Sequence, residues 1–218
     1  YKYVDFKDVF IMAHNGQIQI KEAYMTYLKD SGIDLKTNSD SELLLNIISY
    51  KFPLSTCLST EIIRKNLNDI SEMLEGSYSI ILYIKGYGMI VMRDKNGIKP
   101  LIVGHNNNTY LVSSESISLK SLNYKILCDV NPGEAIIFNN NNRTNNYKID
   151  RIQYVSNHIL RPCIFEWIYI ANIASIIDGV SVYDARVNMG GKLSKRIYNY
   201  FNDNDLNLKD IDYVVPVP

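Results

Sequence analysis

Between residues 77 and 138 the chain breaks into short apolar runs at 77–84, 88–93, 100–103, 110–113 and 134–138, separated by turn-forming residues. No other feature limits the fold as strongly. Runs of this length bounded by turn chemistry read as strands, and Lys95-Asn96-Gly97 supplies hairpin chemistry between two of them. Strands clustered together, with helical stretches before and after, predict an α+β domain with antiparallel sheets, not a βαβ wind. Upstream, Val9-Phe10-Ile11-Met12-Ala13 reads as a buried strand ended by the turn-prone pair Asn15-Gly16. Ile20, Ala23, Tyr24, Tyr27 and Leu28 recur at helical spacing, with Gly32 as a stop signal. Ser39-Asp40-Ser41-Glu42 matches the Ser-x-x-Glu capping box ahead of Leu43, Leu44, Ile47 and Ile48, so a second helix is expected from Ser39. A third is expected over 60–72.

The pattern changes after about residue 155. A long helix is expected from Val182 to about Phe201, and 211–217 reads as a buried strand. A helix followed by an apolar strand can open an α/β domain, so a boundary is placed near residue 160, dividing the chain into 1–160 and 161–218. The asparagine-rich stretch 139–146 reads as a solvated loop. The 218 residues suffice for a substantial core. The absent Met at position 1 and the stop at Pro216-Val217-Pro218 are what a segment of a longer chain would show.

Charge and cysteine content exclude several function classes. With 23 basic and 23 acidic residues the net charge is zero, so no long-range field favours nucleic acid or an anionic membrane. No apolar run reaches the length of a membrane span and no signal-peptide pattern is present, which makes cytoplasm the expected location. Cys57, Cys128 and Cys163 are widely spaced without a CxxC pair, an arrangement that fits small buried hydrophobes better than disulfides or a zinc site.

Amide hydrolysis needs a nucleophile, a proton shuttle, donors for the developing oxyanion and charges that hold the substrate. An Asn15 side-chain amide and a Gly16 backbone N–H in one tight turn can supply the donors, although Asn-Gly is also a common turn. Asp40, near a helix start that stabilises an anion, can bind an ammonium group or merely favour the helix. His14 reads either as a general base or as a structural hydrogen-bonding group.

Taken in order, Ala13-His14-Asn15-Gly16 and Ser39-Asp40-Ser41-Glu42 resemble the glutamine amidotransferases whose catalytic residue is an N-terminal cysteine. Glu75-Gly76-Ser77-Tyr78-Ser79, Arg93-Asp94-Lys95-Asn96-Gly97-Ile98-Lys99-Pro100-Leu101, Ser113-Ser114-Glu115-Ser116 and Pro132-Gly133-Glu134 narrow this to a resemblance to the amidophosphoribosyltransferase family. So do Cys163-Ile164-Phe165-Glu166-Trp167-Ile168-Tyr169, the segment from Ser175 to Tyr183, Arg186, Asn188-Met189-Gly190 and Val214-Val215-Pro216-Val217-Pro218. The resemblance spans nearly the whole chain. It implies an N-terminal-nucleophile hydrolase sandwich of αββα layers, followed by the start of an α/β phosphoribosyltransferase domain. The implied reaction of purine biosynthesis converts glutamine and phosphoribosyl pyrophosphate into 5-phosphoribosylamine, glutamate and pyrophosphate, with magnesium accompanying the pyrophosphate substrate.

Under this resemblance Asn15 and Gly16 match the oxyanion hole, and Asp40 matches the carboxylate that binds the glutamine α-amino group. Arg93, Asp94 and Pro100 are expected to shape a hairpin. Tyr183 and Arg186 fall where the family couples its two domains and passes ammonia between them. Cys163 aligns with an iron–sulfur ligand of cluster-bearing relatives, and the other ligands lie outside this sequence. A homo-oligomer is expected. The family's nucleophile is a cysteine at the mature N-terminus, whereas residue 1 here is Tyr, so this segment alone is expected to be inactive. Asn172-Ile173-Ala174-Ser175 departs from the family's Arg-Pro-Asp-Ser. That leaves a non-catalytic binding or regulatory relative as the alternative, with a sugar-phosphate aminotransferase disfavoured by the motifs from Cys163 to Gly190.

Overall fold

Period-two burial organises the first part of the chain. In a computed structural model, which describes residues 10–24, 30, 35–52, 58–107, 109–139 and 149–215, the chain separates into two compact units, Tyr1–Cys163 and Ile164–Pro218. The first unit holds β1 (Phe10–Ile20), α1 (Asp40–Lys51), α2 (Thr60–Met73), β2 (Leu74–Ile84), β3 (Gly88–Arg93), β4 (Ile102–Asn106), β5 (Thr109–Ser113), α3 (Ser116–Ser121), β6 (Lys125–Asp129), β7 (Glu134–Asn139) and β8 (Ile149–Gln153). Five strands form one antiparallel sheet in the order β1-β2-β3-β7-β8, and three form another in the order β5-β4-β6.

Alternate side chains of the larger sheet leave its two faces for two cores. Ile90 and Met92 of β3 and Ala135 and Ile137 of β7 pack with Leu44, Ile47 and Ile48 of α1 and with Ile63, Leu67 and Ile70 of α2. Their neighbours Val91, Ile136 and Phe138 pack instead with Leu101, Val103 and Val130. Successive strand side chains point to opposite faces, so one sheet serves both layers. Beyond the smaller sheet lies α3: a Cβ on Gly104 would meet the Leu119 side chain at 3.0 Å. The αββα sandwich implied by the resemblance is therefore realised.

Local details differ from the sequence reading. Asn15-Gly16 does not end the first strand, because β1 runs through it, pairing Asn15 with Ser79 and Gly16 with Tyr78. Two glycines make this continuation work. Gly16 has φ +147° and Gly76 has φ +110°, and a Cβ on either would lie 2.1–2.2 Å from a backbone oxygen of the facing strand. Lys95-Asn96-Gly97 makes a turn but not a hairpin, since β3 and β4 belong to different sheets. Ser39 begins α1 in an extended conformation without capping it by its side chain. Its N–H donates to Thr37 Oγ1, while Glu42 accepts from Lys36 N–H and from the Thr37 hydroxyl, so the reciprocal capping box is not the geometry here. β6, β8 and α3 were not anticipated.

The helix expected from Ile20 is replaced at its start by β1, with helical backbone at 22–24; 25–29 and 31–34 lie outside the described residues, as does most of the asparagine-rich stretch. The second unit is built on Trp167, Ala171, Ile177 and Val182. A π-helical turn, Glu166–Ile170, precedes a hairpin of β9 (Ile176–Ile177) and β10 (Val180–Ser181) and the long α4 (Val182–Asp203). The buried strand expected at 211–217 is not formed over its described part. Residues 211–215 carry no strand, and Val214 is 89% exposed. An extended segment needs a flanking strand for its backbone polar groups, and the only strands described in this unit are β9 and β10.

Candidate functional site

The edge strand β1, the first turns of α1 and the segment between β5 and α3 enclose a cavity of about 510 Å³. Met12, Ala13, His14 and Asn15 form one wall, Ser39, Ser41, Glu42 and Leu45 a second, and Ser79, Ile81, Leu101 and Ser114 complete it. The tight Gly16–Gly76 crossing, just past Asn15, carries β1 onward at close range to β2 and so fixes the height of Asn15 on the wall.

Asn15 Nδ2 donates to Ser114 Oγ at 3.2 Å, and its second N–H has no partner among the described residues. Asp40 does not line the cavity. Its carboxylate joins β1 to α1, with Oδ2 accepting from Ile18 N–H at 3.2 Å and Oδ1 from Ser41 Oγ at 3.4 Å. Asp40 and Glu42 both occupy the first turn of α1, where the helix dipole favours negative charge. Glu42 is 4% exposed, and its bonds to residues 36 and 37 organise the approach to the helix.

His14 Nδ1 lies 3.1 Å from Ser41 Oγ, while Nε2 is buried and has no hydrogen-bond partner among the described residues. Burial pushes the imidazole pKa down, against the pull of Asp40 and of the Ser77 backbone. In a hydrolase triad the second ring nitrogen of the base is held by a carboxylate. Here the carboxylate sits on the serine side, so His14 and Ser41 order the wall instead of forming an activated pair.

Arg93 and Asp94 lie outside the cavity as structural anchors. Arg93 is 1% exposed and donates to the carbonyls of Lys99, Val130 and Gly97 at 2.7–2.9 Å. The Asp94 carboxylate accepts from the N–H groups of Tyr78, Asn96 and Ile98. Burial nonetheless raises its pKa, outweighing those donors and Arg93. Together they fix the passage from one sheet to the other.

In the second unit Arg186 Nε and Nη2 donate to the carbonyls of Trp167 and Ala171 at 2.7 and 2.9 Å, pinning both ends of the π-helical turn to α4. Tyr183, on the first turn of α4, is 57% exposed. Cys163 is a free thiol at the end of the first unit, its N–H bonded to the Ile98 carbonyl. Among the described residues no group of three His, Cys, Asp or Glu side chains could hold a metal ion. Sequence reasoning did not single out Ser114, Ser79, Ser41 or Glu42 as wall residues. All four lie within the motifs that carry the resemblance, but nothing local connects Ser114 with Asn15, 99 positions away.

The glutamine amidotransferase domain family matches residues 4–121. The Escherichia coli amidophosphoribosyltransferase is 35% identical over 99% of this chain and 42% of its own length. The Saccharomyces cerevisiae amidophosphoribosyltransferase is 32% identical over 95% of this chain and 41% of its own length. The chain thus spans about two fifths of the curated relatives it matches. The solved B. subtilis glutamine phosphoribosylpyrophosphate amidotransferase, complexed with ADP and GMP, superposes with TM-score 0.70 at 28% identity, covering 88% of this chain and 40% of that one. A second solved structure, described as an allosteric regulatory enzyme of purine biosynthesis, gives 0.73 at 27% identity, covering 88% and 38%. With the αββα layers and an Asn15-lined cavity already in place, the match over residues 4–121 shows that this chain belongs to the glutamine amidotransferase domain family.

Proposed function

We propose that the first unit holds and polarises glutamine within an amidophosphoribosyltransferase, whose whole reaction yields 5-phosphoribosylamine, glutamate and pyrophosphate from glutamine and phosphoribosyl pyrophosphate. The Asn15 amide, facing a cavity beside the start of α1, carries this reading, and the similarity to amidophosphoribosyltransferases along 99% of the chain supports it. As a nucleophile attacks the glutamine side-chain carbonyl, negative charge grows on its oxygen. The free Asn15 N–H and the Gly16 N–H meet that charge more strongly than they meet the neutral carbonyl, so the transition state gains most. Asp40 lies between the lining residues Ser39 and Ser41 without lining the cavity itself; in this proposal its charge attracts the substrate's α-amino group from there while its carboxylate holds α1 against β1.

In this proposal the attacking sulfur is that of the N-terminal cysteine characteristic of the family; Cys128 and Cys163 do not line the cavity, and Cys57 lies outside the described residues. In the same proposal magnesium would accompany phosphoribosyl pyrophosphate in the transfer step. Tyr183 and Arg186 belong to the coupling of hydrolysis to transfer in the same proposal, Arg186 by fixing the π-helical turn. A cytoplasmic homo-oligomer completes it. No helix among the described residues is long and apolar enough to cross a membrane.

The test is release of glutamate and pyrophosphate by the full protein supplied with glutamine, phosphoribosyl pyrophosphate and magnesium. Asp40→Ala should raise the KM for glutamine and spare synthesis from ammonia, since a substrate anchor acts on ground and transition states alike. Absence of glutamate release would end the proposal, and an unchanged KM would remove Asp40 from the substrate site.

A further inference from the structure

From the hydrogen bond between Asn15 and Ser114, we infer that Ser114 is a positioning residue that sets the direction of the Asn15 oxyanion donor. This rests on the glutamine reading above. A side-chain amide is planar, and its two N–H bonds diverge by about 120°, so fixing one fixes the other. Asn15 Nδ2 gives one hydrogen to Ser114 Oγ at 3.2 Å, and both residues line the same cavity. Without that acceptor the amide can turn about its terminal side-chain torsion, which is broad and roughly two-fold.

The acceptor is itself held. Ser114 stands between β5 and α3, where Ser113 Oγ accepts from Glu115 N–H at 3.3 Å. Immediately after it, Ser116 and Leu119 of α3 are fully buried. Thus α3, on the outer face of the smaller sheet, contributes to the geometry of a donor on the larger one. The bond joins β1 of the larger sheet to the segment that follows β5 of the smaller one, beside the cavity, and a donor held in advance needs no reorganisation as charge develops.

The decisive measurement is a double-mutant cycle in the full protein, following glutamate release with kcat and KM separated and ammonia-dependent synthesis as the folding control. Asn15→Ala should lower kcat by about 10²–10³. Ser114→Ala should lower kcat by about tenfold, with KM for glutamine and the ammonia reaction nearly unchanged, because misaiming a donor affects the transition state first. In the Asn15→Ala background, Ser114→Ala should cost less than about twofold more, since its only target is gone. Ser114→Cys, which offers a poor acceptor of similar size, should reproduce the loss if the alanine variant is poorly folded.

Full multiplicativity of the two substitutions, or an unchanged kcat in both Ser114 variants, would overturn the positioning role. If Asn15→Ala itself leaves kcat intact, the oxyanion reading falls with it. Loss in Asn15→Ala without loss in Ser114→Ala removes only the inference made here.

Discussion

Asn15-Gly16 and Asn96-Gly97 are the same dipeptide, yet the first continues a strand and the second turns the chain between two sheets. Gly97 adopts φ +56°, the left-handed geometry of a turn, whereas Gly16 adopts φ +147° within β1. What separates them is their surroundings. The second pair is held locally, with Asn96 and Ile98 N–H bonded to the Asp94 carboxylate and Gly97 N–H to the Asp94 carbonyl. The first is held by Ser77, Tyr78 and Ser79 on β2. An Asn-Gly pair is therefore a conformational permission that a local carboxylate turns into a bend and a facing strand turns into a site wall.

Substitutions at the two pairs should separate these roles. Gly16→Ala should have the largest effect, on the order of 4 kcal/mol of stability, because its Cβ would sit 2.1 Å from the Ser77 carbonyl oxygen. A denaturant melt that stayed within 1 kcal/mol of the original, an order-of-magnitude threshold for a tolerated change, would contradict the strand geometry. Asn15→Ala should reduce glutamine turnover by about 10²–10³, roughly 2.7–4 kcal/mol of transition-state stabilisation, with little change in melting. An equal loss of the ammonia reaction would point to misfolding.

Gly97→Ala should cost about 1–2 kcal/mol for the left-handed backbone, with a further push against the Pro132 ring 2.9 Å away. Turnover by the folded fraction should be unchanged. Asn96→Ala, chemically identical to the change at Asn15, should alter stability by no more than about 0.5 kcal/mol and leave activity intact. The turn uses Asn96's backbone N–H, not its side chain.

The mildest contrast is confined to acid. Burial lowers the His14 pKa beneath its ordinary 6.5, so the unfolded chain takes up a proton first as pH falls. Stability should therefore decline below about pH 6.5, until the folded form protonates as well, and show no contribution from this group above that range. Comparing denaturation midpoints at several pH values, His14→Gln should show a smaller acid loss than the unaltered protein. An identical slope would exclude His14 as its source.

The strands that were legible in the sequence are those buried on a face with strong apolar content, such as β3 and β7. The edge strands β6 and β8 were not, because β6 has only three apolar residues between Lys125 and Asp129, and Asp150 and Arg151 interrupt the apolar pattern of β8. The six residues of α3 are too few to display helical periodicity. Ordered motifs sufficed for the family, and Asn15 was found as a wall residue. Its Ser114 partner, the structural clamp made by Asp40 and the true course of β1 depend on contacts between distant segments, to which local patterns are blind.

The pairing of β1 with β2 also has a consequence in time. β2 and β3 are joined by a short turn, so they can meet early. β1 must wait until residues 21–73, including α1 and α2, have closed a long loop. The entropy of that closure is lost before the pairing can compensate for it. A nascent chain can therefore build much of its larger sheet while still lacking the Asn15 wall, and ligand competence should emerge later than native-like secondary structure during refolding.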